Sequence, residues 1–162
     1  MPIVLYRVDE RLIHGQVVVG WGSALRTDRI VVIDDDLAGE VWEQELYSMG
    51  LPVEIETVFV DVAHAKEHLA EWRSSASRTM LLTRDISTML RLGSEGALTG
   101  EEVNIGGIHH APGRREVLPY VFLNTAEENA LRALVREGAR VTARDLPTSR
   151  EVGLDHLVEG GG

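Results

Sequence analysis

The sequence predicts an α/β fold in which a predominantly parallel central sheet carries helices on both faces. Short β-branched runs alternate with helical stretches along almost the whole chain, and repeated strand–helix alternation is satisfied by parallel strands joined through crossover helices. With 162 residues and 44% hydrophobic content, the chain has ordinary single-domain size and can bury a real core. Near the start, a strand candidate feeds a polar loop that ends where a helix begins, the arrangement from which such sheets are built.

Ile3–Arg7 reads as the first strand and Gly15–Leu25 as the helix that follows. Arg29–Ile33 is a short, continuous β-branched run, the pattern of a buried strand. Asp34, Asp35 and Asp36 supply N-cap candidates for a helix near Gly39–Met49, with Gly50 in a C-cap position. Pro52 precedes a third strand around Glu54–Val60. Asp61 then caps a helix through Ala63–Trp72, and Thr79–Thr83 is the fourth strand. Asp85 caps a shorter helix, Ile86–Leu92, closed by Gly93, and Val103–Ile105 is a fifth strand ending in Gly106-Gly107. Val117–Leu123 is a sixth, and Pro119 inside it favours an edge or a break over a central position. The strongest helix pattern opens at Thr125. Glu128 stands three residues on in capping-box spacing, Leu131, Leu134 and Val135 supply the apolar positions, and Gly138 closes it. Arg140–Ala143 is the last strand and Leu154–Val158 a terminal helical turn. One domain is expected over residues 1–158, with 159–162 as a frayed tail.

Several function classes are disfavoured. No apolar run has the length needed to cross a bilayer, and the N-terminus shows no secretion-signal pattern, which makes cytoplasm the default. The absence of cysteine excludes thiolate catalysis and disulfides. A net charge of −10 argues against nucleic acid as a partner, since phosphate backbones require a basic face. Gly106-Gly107 lacks the spacing of dinucleotide and P-loop motifs, and no GxSxG signature is present.

The remaining candidates are weighed one by one. His64 and His68 have the i, i+4 spacing of a metal-binding helix face, but Lys66 and Glu67 between them fit a solvated surface. His109 and His110 follow the glycine pair and either reach a ligand at the sheet edge or serve an ordinary loop; His156 falls in the tail. The Asp34–Asp36 run fits a capped turn better than a metal site. His14 is different. Ligands gather at the carboxyl ends of parallel strands, and helix starts there offer free N–H groups to phosphate. In Arg7–Val17, RVDERLIHGQV, His14 follows Arg11 by three residues and precedes Gly15 and Gln16, with Asp9 placed to orient the imidazole or an arginine. These residues fit either an imidazole that meets a phosphoryl group or one that merely caps a helix.

RVDERLIHGQV closely resembles the phosphorylation-site segment of the mannose/sorbose-class IIB components of the bacterial sugar phosphotransferase system. NIGGIHHAPGRREVLPYVFL and ARDLPTSR extend the resemblance almost from end to end. It implies a predominantly parallel α/β fold with the phosphohistidine loop after the first strand. It also implies a phosphocarrier: a IIA protein or domain gives its phosphoryl group to His14, which passes it to a sugar held by membrane-embedded IIC and IID components. Location would be cytoplasmic, with transient attachment at the inner face of the membrane. By position His14 is the phosphorylated residue, and the family's nitrogen is Nδ1. Arg11 and Asp9 match its loop residues, and Gly15 and Gln16 would supply amides to the phosphate. No cofactor is expected, because positive potential and positioning suffice for phosphoryl transfer. Arg114 stands where the family often has lysine, and Glu10 where aspartate is common. A regulatory phosphoacceptor that moves no sugar is the alternative. The roles of Arg84, Arg114 and His109 near the site stay open at this level, as does the sugar.

Overall fold

The computed structural model describes residues 2–158. Its strands, in chain order, are β1 (Ile3–Val8), β2 (Arg29–Ile33), β3 (Glu56–Val60), β4 (Thr79–Thr83), β5 (Glu102–Ile105), β6 (Arg115–Leu118), β7 (Val121–Leu123), β8 (Arg140–Ala143) and β9 (Val152–Gly153). The α-helices are α1 (Val41–Ser48), α2 (Val62–Ser74), α3 (Ile86–Leu92) and α4 (Thr125–Arg136). Seven strands form one sheet in the order β3-β2-β4-β1-β5-β8-β9. Every pairing from β3 to β8 is parallel, and β9 closes the edge antiparallel to β8. The mixed α/β class with a mostly parallel sheet is therefore as the sequence predicts.

Alternation along each strand divides the core in two. On one face Val31, Ile33, Leu81, Tyr6, Val8, Val103 and Ile105 meet α2 (Leu69, Trp72), α3 (Ile86, Met89) and α4 (Leu131, Leu134). On the other, Ile30, Val32, Met80, Leu82 and Leu5 meet Leu12, Ile13, Val17, Trp21 and Leu37. The second face turns polar halfway across: Arg7 is in register with Leu82 on one side and Asn104 on the other, and Asn104 with Thr142. All three of these polar side chains are buried. Arg7 joins this polar row to Asp9, the first residue after β1.

Several elements differ from expectation. The helix after β1 is π-helical over Gln16–Gly22, where three valines and two glycines replace ordinary helix formers. Asp34 does not cap α1. Its side chain accepts from the Asp36 and Leu37 amides and builds a 3-10 turn, Leu37–Gly39, so α1 starts later, at Val41. Gly50 is not a left-handed cap, since α1 ends through Met49 in right-handed geometry. The capping box of α4 is shifted by one residue. Asn124 is the N-cap and Glu127 returns the bond, because asparagine is the better cap than the threonine beside it. Glu128 is thereby buried and pairs with Arg115, while Val135 faces outward. Gly138 does close this helix, with φ +104°. Val117–Leu123 is not one strand but part of the β6–β7 hairpin, broken at Pro119, which has no N–H for a ladder. The two-residue β9 is too short to carry a sequence pattern, and the terminal turn after it is 3-10 over Leu154–His156. The tail 159–162 lies outside the described residues.

Candidate functional site

The loop from Asp9 to His14 leaves β1 at the carboxyl edge of the sheet. Asp9 N–H donates to the Thr83 carbonyl (2.9 Å) and Glu10 N–H to the Gly107 carbonyl (2.9 Å), which ties the loop to the ends of β4 and β5. Leu12 then adopts φ +56°, a conformation that costs a leucine about 1 kcal/mol. Its side chain is fully buried in the second core, which offsets that cost. This turn sends Leu12 and Ile13 inward and leaves His14 at the rim, its side chain 17% exposed.

Asp9 is the hub. Its Oδ1 accepts from the Arg11 backbone N–H and Nε (both 3.1 Å), and its Oδ2 from Arg7 Nη2, Arg11 Nη2 and the Gly107 N–H (each 3.2 Å). Burial alone would raise the Asp9 pKa, but His14, Arg11 and Arg7 outweigh it and hold the carboxyl well below the usual carboxylate range. Asp9 is therefore ionised at neutral pH. His14 Nε2 lies 3.3 Å from Asp9 Oδ2, within ion-pair range but longer and more bent than a regular hydrogen bond. Nε2 is buried, whereas Nδ1 is accessible and has no protein partner among the described residues. An ionised carboxylate at Nε2 favours the tautomer with the proton there and the lone pair on Nδ1.

Local spacing in the sequence does not single out Arg7, yet the site rests on it. Wholly buried, it donates to Asn104 Oδ1 and to the carbonyls of Arg144 (2.8 Å) and Asp145 (3.1 Å), and its guanidinium lies 5.0 Å from the Trp21 ring. Desolvation lowers its pKa and Asp9 opposes that, so an arginine still carries its charge here. A Cβ on Gly106 would land on this guanidinium, and one on Gly107 would come within 3.0 Å of Arg11. The glycine pair thus makes room for two arginines. The detectable signal was Arg7 and Asn104 themselves, polar residues inside otherwise apolar strand runs.

The other expected residues are placed as follows. Arg11 does not point freely at a ligand, since its Nη2 also donates to Gln16 Oε1 (2.8 Å). Beside Gly15 the ground is open, with nothing within 4 Å of a Cβ there. Glu10 accepts from Arg114 (2.8 Å), which also grips Glu127 and the His109 carbonyl; His109 Nδ1 lies 3.0 Å from Glu10. Arg114 and His109 therefore tie the post-β5 loop to the β1 loop. Arg84 bonds Asp34 (3.1 Å), and His110 packs edge-on against Phe122. His64 and His68 bond Asp61 and the His64 carbonyl, the surface roles their spacing also allowed. Among the described residues no group of three or more His, Cys, Asp or Glu could hold a metal ion, and no helix is long and apolar enough to cross a membrane.

Fold and site together define an α/β domain that presents an imidazole, backed by an ionised aspartate, at the carboxyl edge of a parallel sheet. Its family is shown by comparison: the model described as PTS system sorbose subfamily IIB component matches residues 3–161, and the chain belongs to that family. The PTS system fructose-specific EIIB component of Bacillus subtilis is 29% identical over 91% of this chain and 90% of its own. The PTS system mannose-specific EIIAB component of Escherichia coli K12 is 28% identical over 98% of this chain but 49% of its own. The crystal structure of manxB from Thermoanaerobacter tengcongensis aligns with a TM-score of 0.83 and 31% identity, over 98% of this chain and 95% of that one. The chain is a mannose/sorbose-class, sugar-specific IIB component of the phosphotransferase system.

Proposed function

We propose that His14 is a covalent phosphocarrier. It takes a phosphoryl group from phospho-IIA on Nδ1 and gives it to a sugar held by membrane IIC and IID components, at the cytoplasmic face. The observation that carries this reading is the division of labour within the ring: Nε2 turned to Asp9, Nδ1 open. The Nδ1 lone pair attacks phosphorus as the donor's N–P bond breaks. The ring gains positive charge, and the Asp9 carboxylate at Nε2 stabilises it. In the reverse sense the same charge makes the ring a good leaving group toward a sugar hydroxyl. In this reading Arg11 turns from Asp9 and Gln16 to bind the phosphoryl oxygens together with the amides at Gly15 and Gln16. Arg7 keeps Asp9 paired when Arg11 turns toward the phosphate. The mannose-specific EIIAB relative, whose name joins a IIA and a IIB part, supports IIA as the donor.

The test supplies phosphoenolpyruvate, the general phosphotransferase proteins and a cognate IIA, and follows phosphate onto the chain. An acid-labile, alkali-stable label is expected, absent from His14→Ala. Wild-type labelling of that variant would refute the assignment. Arg11→Ala should fold and transfer more slowly; unchanged rates in both directions would remove Arg11 from the reaction.

A further inference from the structure

Helix α1 packs Tyr47 against the second core but turns its other apolar side chains to solvent. None of its eight residues is buried. Trp42 is 70% exposed and Met49, just past its end, 79%; Val41 and Leu46 are also exposed. The π-helical segment after the β1 loop does the same with Val19. Between the two runs a groove of about 610 Å³, lined by Val18, Val19, Trp42 and Leu46, with His14 and Gly15 in its wall. Exposed aromatic and aliphatic side chains gathered at a concavity mark a protein interaction surface.

The charge around the groove narrows the occupant. From Ile30 to Ala65 the chain has no Lys or Arg, but carries Asp34, Asp35, Asp36, Glu40, Glu43, Glu45, Glu54, Glu56 and Asp61. Asp34, Asp35 and Glu56 are paired with arginines from elsewhere. Glu40, Glu43 and Glu45 of the α1 region are exposed and meet no cation among the described residues, and Glu43 also lines the groove. The complementary surface is apolar with a basic rim. A lipid surface fits poorly, since anionic headgroups repel a chain of net charge −10. Cytoplasmic loops of membrane proteins fit well, because they carry an excess of Lys and Arg close to the bilayer.

We propose that this groove docks a basic, apolar cytoplasmic loop of the membrane-embedded sugar-carrying partner and so brings His14 to the acceptor. The inference rests on the phosphocarrier reading for its purpose, but docking itself needs no phosphate. Binding of the unphosphorylated chain to the purified membrane component in neutral-lipid nanodiscs is measured for wild type, Trp42→Ala and Glu43→Lys. Both positions are exposed, so the fold should persist in each variant. Wild type should bind, less tightly as salt is raised, and each substitution should weaken binding about tenfold. Labelling of His14 by phospho-IIA should persist in both variants. Unaltered binding in both variants, or no binding by wild type, would overturn the proposal. So would loss of donor labelling with membrane binding kept, which would give the groove to IIA, or a wild-type dimer dispersed by Trp42→Ala, which would give it to a second copy. If wild type accepts no phosphate from IIA, the phosphocarrier reading fails while the binding assay still decides the groove.

Discussion

Asp9 holds two arginines, two backbone amides and an imidazole with one carboxylate, and its contacts are mutually dependent. Removing its charge leaves Arg7 buried without a counterion, so Asp9→Asn should cost about 3 kcal/mol at neutral pH in denaturant melts. The pH dependence has a definite sign. Asp9 has a lowered pKa in the folded chain, whereas the unfolded chain protonates it near the ordinary value of about 3.9. Its stabilisation is therefore complete above about pH 4 and is lost progressively as the pH falls below that. The wild-type advantage over Asp9→Asn should shrink across that acid range. A constant difference from neutral pH down to pH about 3 would mean that the carboxylate is not held low. At this scale the sequence showed His14, Arg11 and Asp9 because they are contiguous in one loop. It did not show that Arg7, Asn104 and Gly106 meet, because that depends on the register of β1 with β5.

Strands were the most legible elements, because β2 and β4 are bounded apolar runs that fold as read. Helix ends were less so, since adjacent polar residues compete for the cap and local spacing does not decide between them. Asp61 and Asp85 stand alone before their helices and cap them as expected. In Asn124-Thr125 two caps compete, and the asparagine wins with its own glutamate three residues on. Asn124→Ala should therefore destabilise the protein by about 1 kcal/mol, and Thr125→Ala by much less. Thermal or denaturant melts of the two variants measure this directly, and the reverse ranking would restore the Thr125–Glu128 box. The β6–β7 hairpin is legible in part, since Pro119 marks its break but the charged Arg115-Glu116 start of β6 carries no strand pattern, and the two-residue β9 is too short for periodicity to register.

The two faces of the sheet are unequally built. One is covered by α2, α3 and α4, which bury large side chains along their lengths. The other is covered by a seven-residue π-helical segment with two glycines and by α1, which buries nothing fully. Both the imidazole and the exposed apolar groove lie on this thinner layer. Local opening free energy follows the apolar area a segment buries, so the thin layer should open without unfolding the sheet. Native-state hydrogen exchange should find the amides of residues 16–24 and 41–49 exchanging through a sub-global opening. That opening should have a smaller free energy and a weaker denaturant dependence than the amides of β1, β4 and β5. Equal free energies and equal slopes for the two sets would mean one cooperative unit, and the layer beside His14 would then be as rigid as the core. A separable layer would let the groove wall adapt to a partner while Asp9, Arg7 and the β1–β5 register hold the imidazole in place.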